Sequence, residues 1–216
     1  MGRAMYTPAQ FKVEDTAEVH ALMRAHPFAI LVTQGADGLT ATHLPTVLKV
    51  DAASPLGRIE CHVARPNPQW KSFAADADAL LIFQGPEAYI RPGWYPSKAE
   101  HSKAVPTWNY VAVHAYGSLR VMNDKAWLLA HVTELSDQQE APYAERWAVS
   151  DAPESYLDVM ARGIVGLTFE ITRLEGKVKM SQNRDQRDRT GVVQGLGDRG
   201  ATHDAETAAL VDKLMR

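Results

Sequence analysis

The sequence has little of what usually fixes a protein's compartment or chemistry. It contains one cysteine, Cys61, among 216 residues. An internal disulfide and a cysteine-based zinc finger are therefore excluded, and such cysteine usage is typical of a reducing compartment. No apolar run approaches the roughly 18 residues of a membrane span, and the first residues lack the apolar stretch of a signal peptide. We therefore expect a cytoplasmic protein with Cys61 in its core.

An excess of positive charge is also absent. The chain has 23 basic and 26 acidic residues, which gives a net charge of -3 and a pI near 6.2. This balance provides no general attraction to nucleic acid or to an anionic membrane. With 45% hydrophobic residues, a chain of this length can bury a full core, and one barrel or sandwich domain is as consistent with the length as two domains.

Motifs of several enzyme classes are missing. The eight histidines form no HExxH or other ligand spacing, so we predict no metal site. A Gly-x-Ser-x-Gly elbow and a Walker-type Gly-Lys-Ser/Thr are absent as well, which argues against hydrolases and nucleotide-hydrolysing enzymes. His62 follows Cys61, but adjacent strand residues point to opposite faces, so a Cys-His nucleophile pair is not expected.

One glycine motif is present but out of context. The segment from Gly195 to Gly200 has the glycine spacing of a dinucleotide-binding turn. Such a turn needs a strand before it and a helix after it, followed by an acidic residue for the ribose. Only sixteen residues follow Gly200, so we interpret the match as accidental.

The aromatic residues are unevenly distributed. Six of the twelve tryptophans and tyrosines fall between Tyr89 and Tyr116, next to prolines and glycines. Rigid rings on a loop are typical of a surface for a flat ligand or for a partner subunit. An aromatic mini-core that pins a long loop explains the clustering equally well, and both interpretations stay open.

The hydrophobic pattern predicts a strand-rich chain. Strands are expected at 28–34, 39–50, 57–64, 79–83, 88–91, 110–122 and 164–171, and helices after Asp15, Asn67, Asp124 and Pro153, with small surface helices from Asp185 onward. The helix after Asn67 should hold Trp70 and Phe73. Helices inserted between strands, without regular alternation, favour an antiparallel barrel. The predicted class is mainly β with inserted helices (α+β).

Two segments suit an anion. Arg65 ends a predicted strand directly before the helix capped by Asn67, so its guanidinium and free helix N–H groups could converge on a phosphate; an ordinary capped helix is the alternative. The segment 177–184 offers cations, a hydroxyl and amides for a phosphate or a heterocycle edge, or else a solvated charge run. Between Arg173 and Arg189, six basic residues face three acidic ones, a local excess that could also contact DNA.

Several blocks together resemble the PaiB family, the FMN-binding negative transcriptional regulators. The blocks are Thr42-His-Leu-Pro45, His62-Val-Ala-Arg65, Asn67-Pro-Gln-Trp70, Phe83-Gln-Gly-Pro86, Trp94-Tyr-Pro96, Val105-Pro-Thr-Trp-Asn-Tyr110, Gly176-Lys177 and Ser181-Gln-Asn183. The resemblance runs in order from Met5 to about Leu196. It implies an FMN-binding split β-barrel related to pyridoxamine-phosphate oxidase and flavin reductases, working as a homodimer.

The resemblance also implies which residues contact the flavin. On the strand beneath the flavin it places Thr42, His43 and Leu44. Near the phosphate tail it places His62, Val63, Ala64, Arg65 and Asn67, with Gln69 in the same block. The other contacts, which the partner subunit could supply, are Trp108, Asn109, Lys177, Ser181, Gln182 and Asn183. The chain departs from the family pattern at Arg91, where relatives usually have a smaller polar residue.

The expected organisation is a single domain over 1–216, with an upstream extension at 1–4 and a helical C-terminal tail at 197–216. The resemblance implies a flavin-binding regulator of transcription, although the charge balance and the lack of a helix-turn-helix make direct DNA binding doubtful. The alternative is an FMN-dependent oxidoreductase or flavin reductase using NAD(P)H, in which the cofactor supplies the chemistry. A flavin store without turnover is a third possibility. No catalytic residue is predicted.

Overall fold

The computed structural model describes residues 4–74 and 78–215. Across these residues the strands are β1 (Lys12–Val13), β2 (Phe28–Gly35), β3 (Gly38–Lys49), β4 (Arg58–Ala64), β5 (Ala79–Ile90), β6 (Thr107–Met122) and β7 (Ile164–Lys179). They form one sheet in the order β1-β7-β4-β3-β2-β5-β6, and β6 also pairs with β7. The second pairing closes six of these strands into a ring.

The helices lie between the strands or after the last one. They are α1 (Thr16–Ala25), α2 (Gln69–Ser72), α3 (Ser97–His101), α4 (Lys125–Glu140), α5 (Glu154–Arg162), α6 (Gln186–Arg199) and α7 (Asp204–Lys213). Aspartates begin the two longest. Asp124 accepts a hydrogen bond from the Trp127 amide at 2.8 Å, and Asp185 accepts one from the Asp188 amide at 2.8 Å. Each carboxylate pairs an amide that has no partner within its helix.

The chain divides into two compact units. Unit 1 comprises the chain up to Val19, Gln84–Val113 and the chain from Glu175, and unit 2 comprises His20–Phe83 and His114–Leu174. The single-domain organisation stays a prediction. Residues 1–3 of the expected extension lie outside the described residues, and position 197, the expected start of the tail, lies inside α6.

The core of unit 2 is built on strand alternation. Ile59, Cys61 and Val63 of β4 have at most 3% of their surface exposed. Cys61 pairs with Thr46 of β3 on one side and with Leu167 of β7 on the other. Burial, with a smaller contribution from the charge of Glu60, raises the pKa of its thiol to about 12. Cys61 is therefore a core residue, as predicted.

The core of unit 1 forms around α6 and α7. Val192, Leu196 and Val211 have no exposed surface, and the buried carboxylate of Asp188 accepts hydrogen bonds from the amide and hydroxyl of Ser97. The helices predicted from Asp185 onward are therefore present, but they are not merely small surface helices.

Three further boundaries differ from the sequence prediction. The strands predicted at 79–83 and 88–91 are the single strand β5, and β7 continues past 171 to Lys179. In both places polar residues interrupt the alternation of apolar and polar residues that predicts a strand. The backbone can pair with a neighbouring strand without that alternation, so the strand continues. Phe73 follows α2, which is only one turn long.

Candidate functional site

The structure brings six of the fifteen predicted flavin contacts into two groups, one in each unit. We call Thr42, Asn67 and Gln69 of unit 2 the Thr42 group. We call Asn109, Lys177, Lys179 and Ser181 of unit 1 the Ser181 group.

Asn67 joins the parts of the Thr42 group. Its side-chain nitrogen donates a 2.9 Å hydrogen bond to the Thr42 hydroxyl on β3, and its side-chain oxygen accepts a 2.9 Å bond from the Gln69 amide. Asn67 thus bonds the first amide of α2, as a capping residue would, although the residue directly before α2 is Pro68 rather than Asn67. The same side chain fixes the start of α2 against β3.

Gln69 anchors this group in the core and is 1% exposed. Its side-chain nitrogen donates to the Leu31 carbonyl, the Thr33 hydroxyl and the Thr40 carbonyl at 3.2, 3.0 and 3.2 Å. Its side-chain oxygen has no hydrogen-bond partner in the described part of the chain. Gln69 thus holds α2 onto the β2–β3 hairpin.

The first half of β3 lies at the surface next to this group. Leu39 is 75% exposed, and Phe28, which stacks against exposed His43 at 6.3 Å, is 63% exposed. Leu44 is 2% exposed, so its side chain belongs to the core and only its backbone could touch a ligand. This end of the sheet combines apolar and polar groups open to a ligand or a partner.

The predicted contact residues at the end of β4 do not point to one common place. Val63 is buried in the core, and Ala64 is exposed. His62 points to α4, where its Nδ1 lies 3.0 Å from Nε2 of buried His131. His131 also stacks on the ring of Trp127. Burial lowers the pKa of both histidines, that of His131 to about 4, with smaller contributions from His62 and Lys49. Neither is charged near neutral pH.

The guanidinium of Arg65 bonds main-chain groups of the protein itself. Its Nε and Nη2 donate 2.7 Å hydrogen bonds to the carbonyls of Arg162 and Ile164, and its own carbonyl accepts a bond from the Trp70 indole. The guanidinium therefore satisfies one carbonyl at the end of α5 and one at the start of β7. A helix of one turn, α2, adds little to a phosphate site beside it.

The Ser181 group is buried except for Lys179, which is half-buried. Asn109 has no exposed surface and donates a 3.0 Å hydrogen bond to the Ser181 hydroxyl. Ser181 has φ of 63°, a left-handed conformation that costs energy for a residue with a side chain and is frequent at functional sites. Gln182 turns inward, bonding the Val178 carbonyl and the Met180 amide at 2.6 Å. Asn183 is exposed.

Two members of the Ser181 group are lysines of β7. Lys179 donates to the Thr107 hydroxyl and the Trp108 carbonyl at 2.5 and 2.6 Å, and Lys177, 6% exposed, donates to the Tyr6 carbonyl at 2.8 Å. Neither forms an ion pair with a carboxylate of the described residues. Burial, followed by the charge of Lys177, lowers the pKa of Lys179. Two neighbouring cations without a counter-ion favour an anion.

The clustered aromatics lie in two different environments, and their predicted role as a surface for a ligand or a partner stays a prediction. Trp94 packs against α6 with the guanidinium of Arg199 5.1 Å from its ring centre, and Tyr95 is 3% exposed, so these two rings form a mini-core. Tyr89 and Trp108 instead meet edge to face at 6.0 Å and are 39% and 52% exposed. They line a cavity of about 310 Å³ together with the charged residues Glu87, Arg199 and Asp204.

Metal sites and membrane helices are not found in the described part of the chain. Within residues 4–74 and 78–215, no three His, Cys, Asp or Glu side chains lie together as a metal site would require. The helices in those ranges are all too short or too polar to cross a bilayer.

Sequence reasoning missed His131, Trp127 and Thr107. Their contacts join positions far apart in the chain, and a single sequence carries no signal for such pairs. Lys179 belongs to the segment predicted to suit a phosphate, but the family resemblance does not name it among the flavin contacts.

Comparisons with known proteins place the chain in a family. A family model described as "Putative FMN-binding domain" matches residues 5–173. Protease synthase and sporulation protein PAI 2 of Bacillus subtilis is 32% identical over 98% of this chain and 99% of its own. An uncharacterized protein of Emericella nidulans is 34% identical over 92% of this chain and 90% of its own.

A solved structure agrees in fold. The FAD and heme binding protein from Mycobacterium smegmatis matches with a TM-score of 0.58 at 14% identity, covering 85% of this chain and 80% of that one. The likeness confirms the predicted α+β split β-barrel. Because the family model spans most of the chain and the Bacillus relative nearly all of it, this protein belongs to the FMN-binding domain family, is PaiB-like in sequence, and has FMN as its cofactor.

Proposed function

We propose that the protein is an FMN-binding regulator of the PaiB type, which works as a homodimer and holds flavin where two copies meet. Its relative in Bacillus subtilis is named for protease synthesis and sporulation, processes under regulatory control. The exposed side chains of Phe28 and Leu39 provide the apolar surface that a second copy would cover.

The observation that carries the proposal is the pair of lysines without a counter-ion. The FMN phosphate is a dianion, and a phosphate near Lys179 and Lys177 would offset their mutual repulsion, which adds to burial in lowering the pKa of Lys179. Arg65 suits this role less well, because its guanidinium bonds the carbonyls of Arg162 and Ile164 and lines a pocket together with the carboxylate of Asp158. We therefore assign the phosphate to the Ser181 group.

The Thr42 group fits the flavin ring. The exposed apolar side chains of Leu39 on β3 and Phe28 on β2 lie on the same hairpin, and the Thr42 hydroxyl is held in place by Asn67. When bound, FMN supplies hydride and electron chemistry. The protein's own residues then need only bind and orient the cofactor.

Paired titrations with FMN and riboflavin test the phosphate assignment. We expect Lys179→Met to weaken FMN binding by roughly 10-fold to 100-fold, the range for a hydrogen bond to a charged group, and to leave riboflavin binding unchanged. Lys103→Met is the matched control, since Lys103 is an exposed lysine of the same unit. The assignment fails if riboflavin loses as much affinity, or if Arg65→Met alone produces the phosphate-specific loss.

An absorbance spectrum under anaerobic conditions separates the regulator from the oxidoreductase. A bound flavin that stays oxidised when NADH or NADPH is added supports sensing. Bleaching of the flavin band would favour the FMN-dependent oxidoreductase or flavin reductase.

We also propose that any control of transcription is indirect. In the basic segment, Arg184 lies 4.4 Å over the ring of Tyr95, and Arg187 bonds Glu100 at 2.7 Å. Contacts within the protein thus compete with the several phosphate contacts that DNA binding requires.

A competition gel shift with genomic fragments at about physiological salt, with and without FMN, tests this proposal. We expect no fragment to survive excess competitor, because specific complexes are typically ~10³-fold or more tighter than non-specific ones. A retained fragment that is lost on charge reversal of Arg184 and Arg187, with the flavin spectrum unchanged, would establish direct binding.

A further inference from the structure

An apolar cavity lies in unit 2, under α4 and α5. Its volume is about 260 Å³. Its main walls come from Leu128, Val132, Trp147, Tyr156, Met160 and His62. The described side chains that line it include no Lys, Arg, Asp or Glu. We call it the His62 cavity.

Size and lining restrict what the cavity can hold. Ligand pockets are mostly apolar and carry a few polar groups that orient the ligand, and an engineered apolar cavity of about 150 Å³ binds benzene. A space of about 260 Å³ therefore admits one substituted aromatic ring. An ion is disfavoured, because no lining charge would compensate for the loss of its hydration.

His62 supplies a directed polar group. Its Nδ1 faces Nε2 of His131 at 3.0 Å, so Nε2 is the nitrogen of His62 left for a ligand. The resemblance implies that His62 lies near the flavin phosphate, which stays a prediction; in the structure its ring contacts His131 of α4 and lines this cavity. The cavity is therefore not explained by the FMN contacts proposed above.

Buried His131 determines which ring nitrogen of His62 carries the proton. Nδ1 of His131 has no hydrogen-bond partner among the described residues. A buried N–H without a partner is rarer than a buried acceptor without one, so the proton of His131 belongs on Nε2, where it is donated to His62 Nδ1. Neutral His62 then carries its own proton on Nε2, and a ligand must offer an acceptor.

We propose that the His62 cavity binds a small uncharged aromatic molecule that bears a carbonyl oxygen, which accepts a hydrogen bond from His62 Nε2. This binding activity goes beyond FMN binding and does not depend on the regulatory role. The protein would then respond to a second small molecule, which binds separately from FMN.

Three probes of similar size test the proposal by calorimetry on the full FMN-loaded chain at neutral pH. Acetophenone has the ring and the carbonyl, ethylbenzene lacks the acceptor, and benzoate is charged. We expect saturable binding of acetophenone, about threefold to tenfold tighter than that of ethylbenzene, the ratio for one net hydrogen bond. Benzoate should not bind detectably. Equal binding of benzoate, or no binding of acetophenone, overturns the proposal.

Two variants locate the site. Ala152 lines the cavity, so Ala152→Phe should fill it and reduce acetophenone affinity at least 10-fold. Ala130→Phe, at an exposed position of α4, is the control and should change nothing. Unaltered binding to Ala152→Phe would place the ligand elsewhere.

The His62→Phe variant tests the hydrogen bond. It should bring acetophenone down to the affinity of ethylbenzene, and a preserved preference would exclude His62 as the donor. Should this variant not fold, the Ala152→Phe result still decides whether the cavity is the site. Sedimentation of each variant tests a second copy as the occupant, and loss of a dimer in Ala152→Phe would overturn the small-molecule assignment.

Discussion

Arg65 joins the end of α5 to the start of β7 through two main-chain carbonyls, those of Arg162 and Ile164. Removing the guanidinium leaves these acceptors without their charged donor, so we expect Arg65→Met to lower the free energy of unfolding by roughly 1–3 kcal/mol. Urea denaturation measures the change. Arg24→Met, at an exposed position of the same unit, should be nearly neutral, and an equally small effect at Arg65 would show that its bonds contribute little.

The His62–His131 pair predicts a pH dependence of stability. An unfolded histidine has a pKa of about 6.5, and burial lowers that of His131 to about 4 in the folded chain. Between these values the unfolded chain binds a proton that the folded chain excludes. The full contribution is thus present above pH ~6.5 and is lost as the pH falls toward 4, by up to about 3 kcal/mol at ~1.4 kcal/mol for each pKa unit.

Urea midpoints measured from pH 7 to pH 4 test this expectation. His131→Gln, which cannot titrate, should flatten the dependence, whereas His101→Gln at an exposed position should not. A wild-type profile that is flat between pH 6.5 and 4 would contradict neutral burial of the pair.

The element α6 shows why its glycine motif is not a nucleotide-binding turn. Gly195 lies within the helix, and a Cβ at this position would come within 2.3 Å of the Trp94 ring. Gly200 ends the helix with φ of 62°, the usual role of a glycine at a helix C-terminus. The spacing thus serves packing and termination.

Two alanine substitutions in α6 should act in opposite directions. Gly195→Ala must displace the Trp94 ring, so we expect a loss of about 1–3 kcal/mol in the free energy of unfolding. A Cβ at Gly197 would have no heavy atom of the described chain within 4 Å, and Gly197→Ala should gain up to about 1 kcal/mol from helix propensity. Thermal unfolding of both variants decides. Equal effects would contradict the close packing.

Elements defined by local signals were predictable. The β2–β3 hairpin, the helix after Asp124 and the helix after Pro153 are all present, because turn residues, capping aspartates and apolar period act over a few residues. The continuity of β5 through Pro86 and the extension of β7 to Lys179 were not predictable. Both depend on neighbouring strands that lie far away in sequence.

At the scale of the whole molecule, the exposed apolar residues of the β2–β3 hairpin predict a homodimer. We expect light scattering at micromolar concentration to give twice the 23.8 kDa of one chain, and Phe28→Asp to shift it toward the monomer. Tyr143→Asp is the matched control, since Tyr143 is 61% exposed and Phe28 63%. A wild-type mass of one chain, unchanged by FMN, would exclude the dimer.

The family and cofactor could be read from the sequence, but the geometry of the site could not. Motif blocks identify residues near the flavin without giving side-chain directions. The structure turns His62 toward α4 and Arg65 toward α5, while Asn109 and Ser181 meet although they lie 72 positions apart in the chain. Long-range contacts of this kind decide which of the predicted residues are free to bind a ligand.

The enclosed position of Cys61 gives the chain a reporter of its own opening. A thiol without exposed surface and with a pKa of about 12 reacts with a disulfide reagent only while β4 is separated from its neighbouring strands. Because no other cysteine is present, the absorbance of the released reagent in native buffer reports only the opening of the sheet around β4. The same absorbance trace can rank variants of unit 2 by the frequency of that event, without denaturant or an added label.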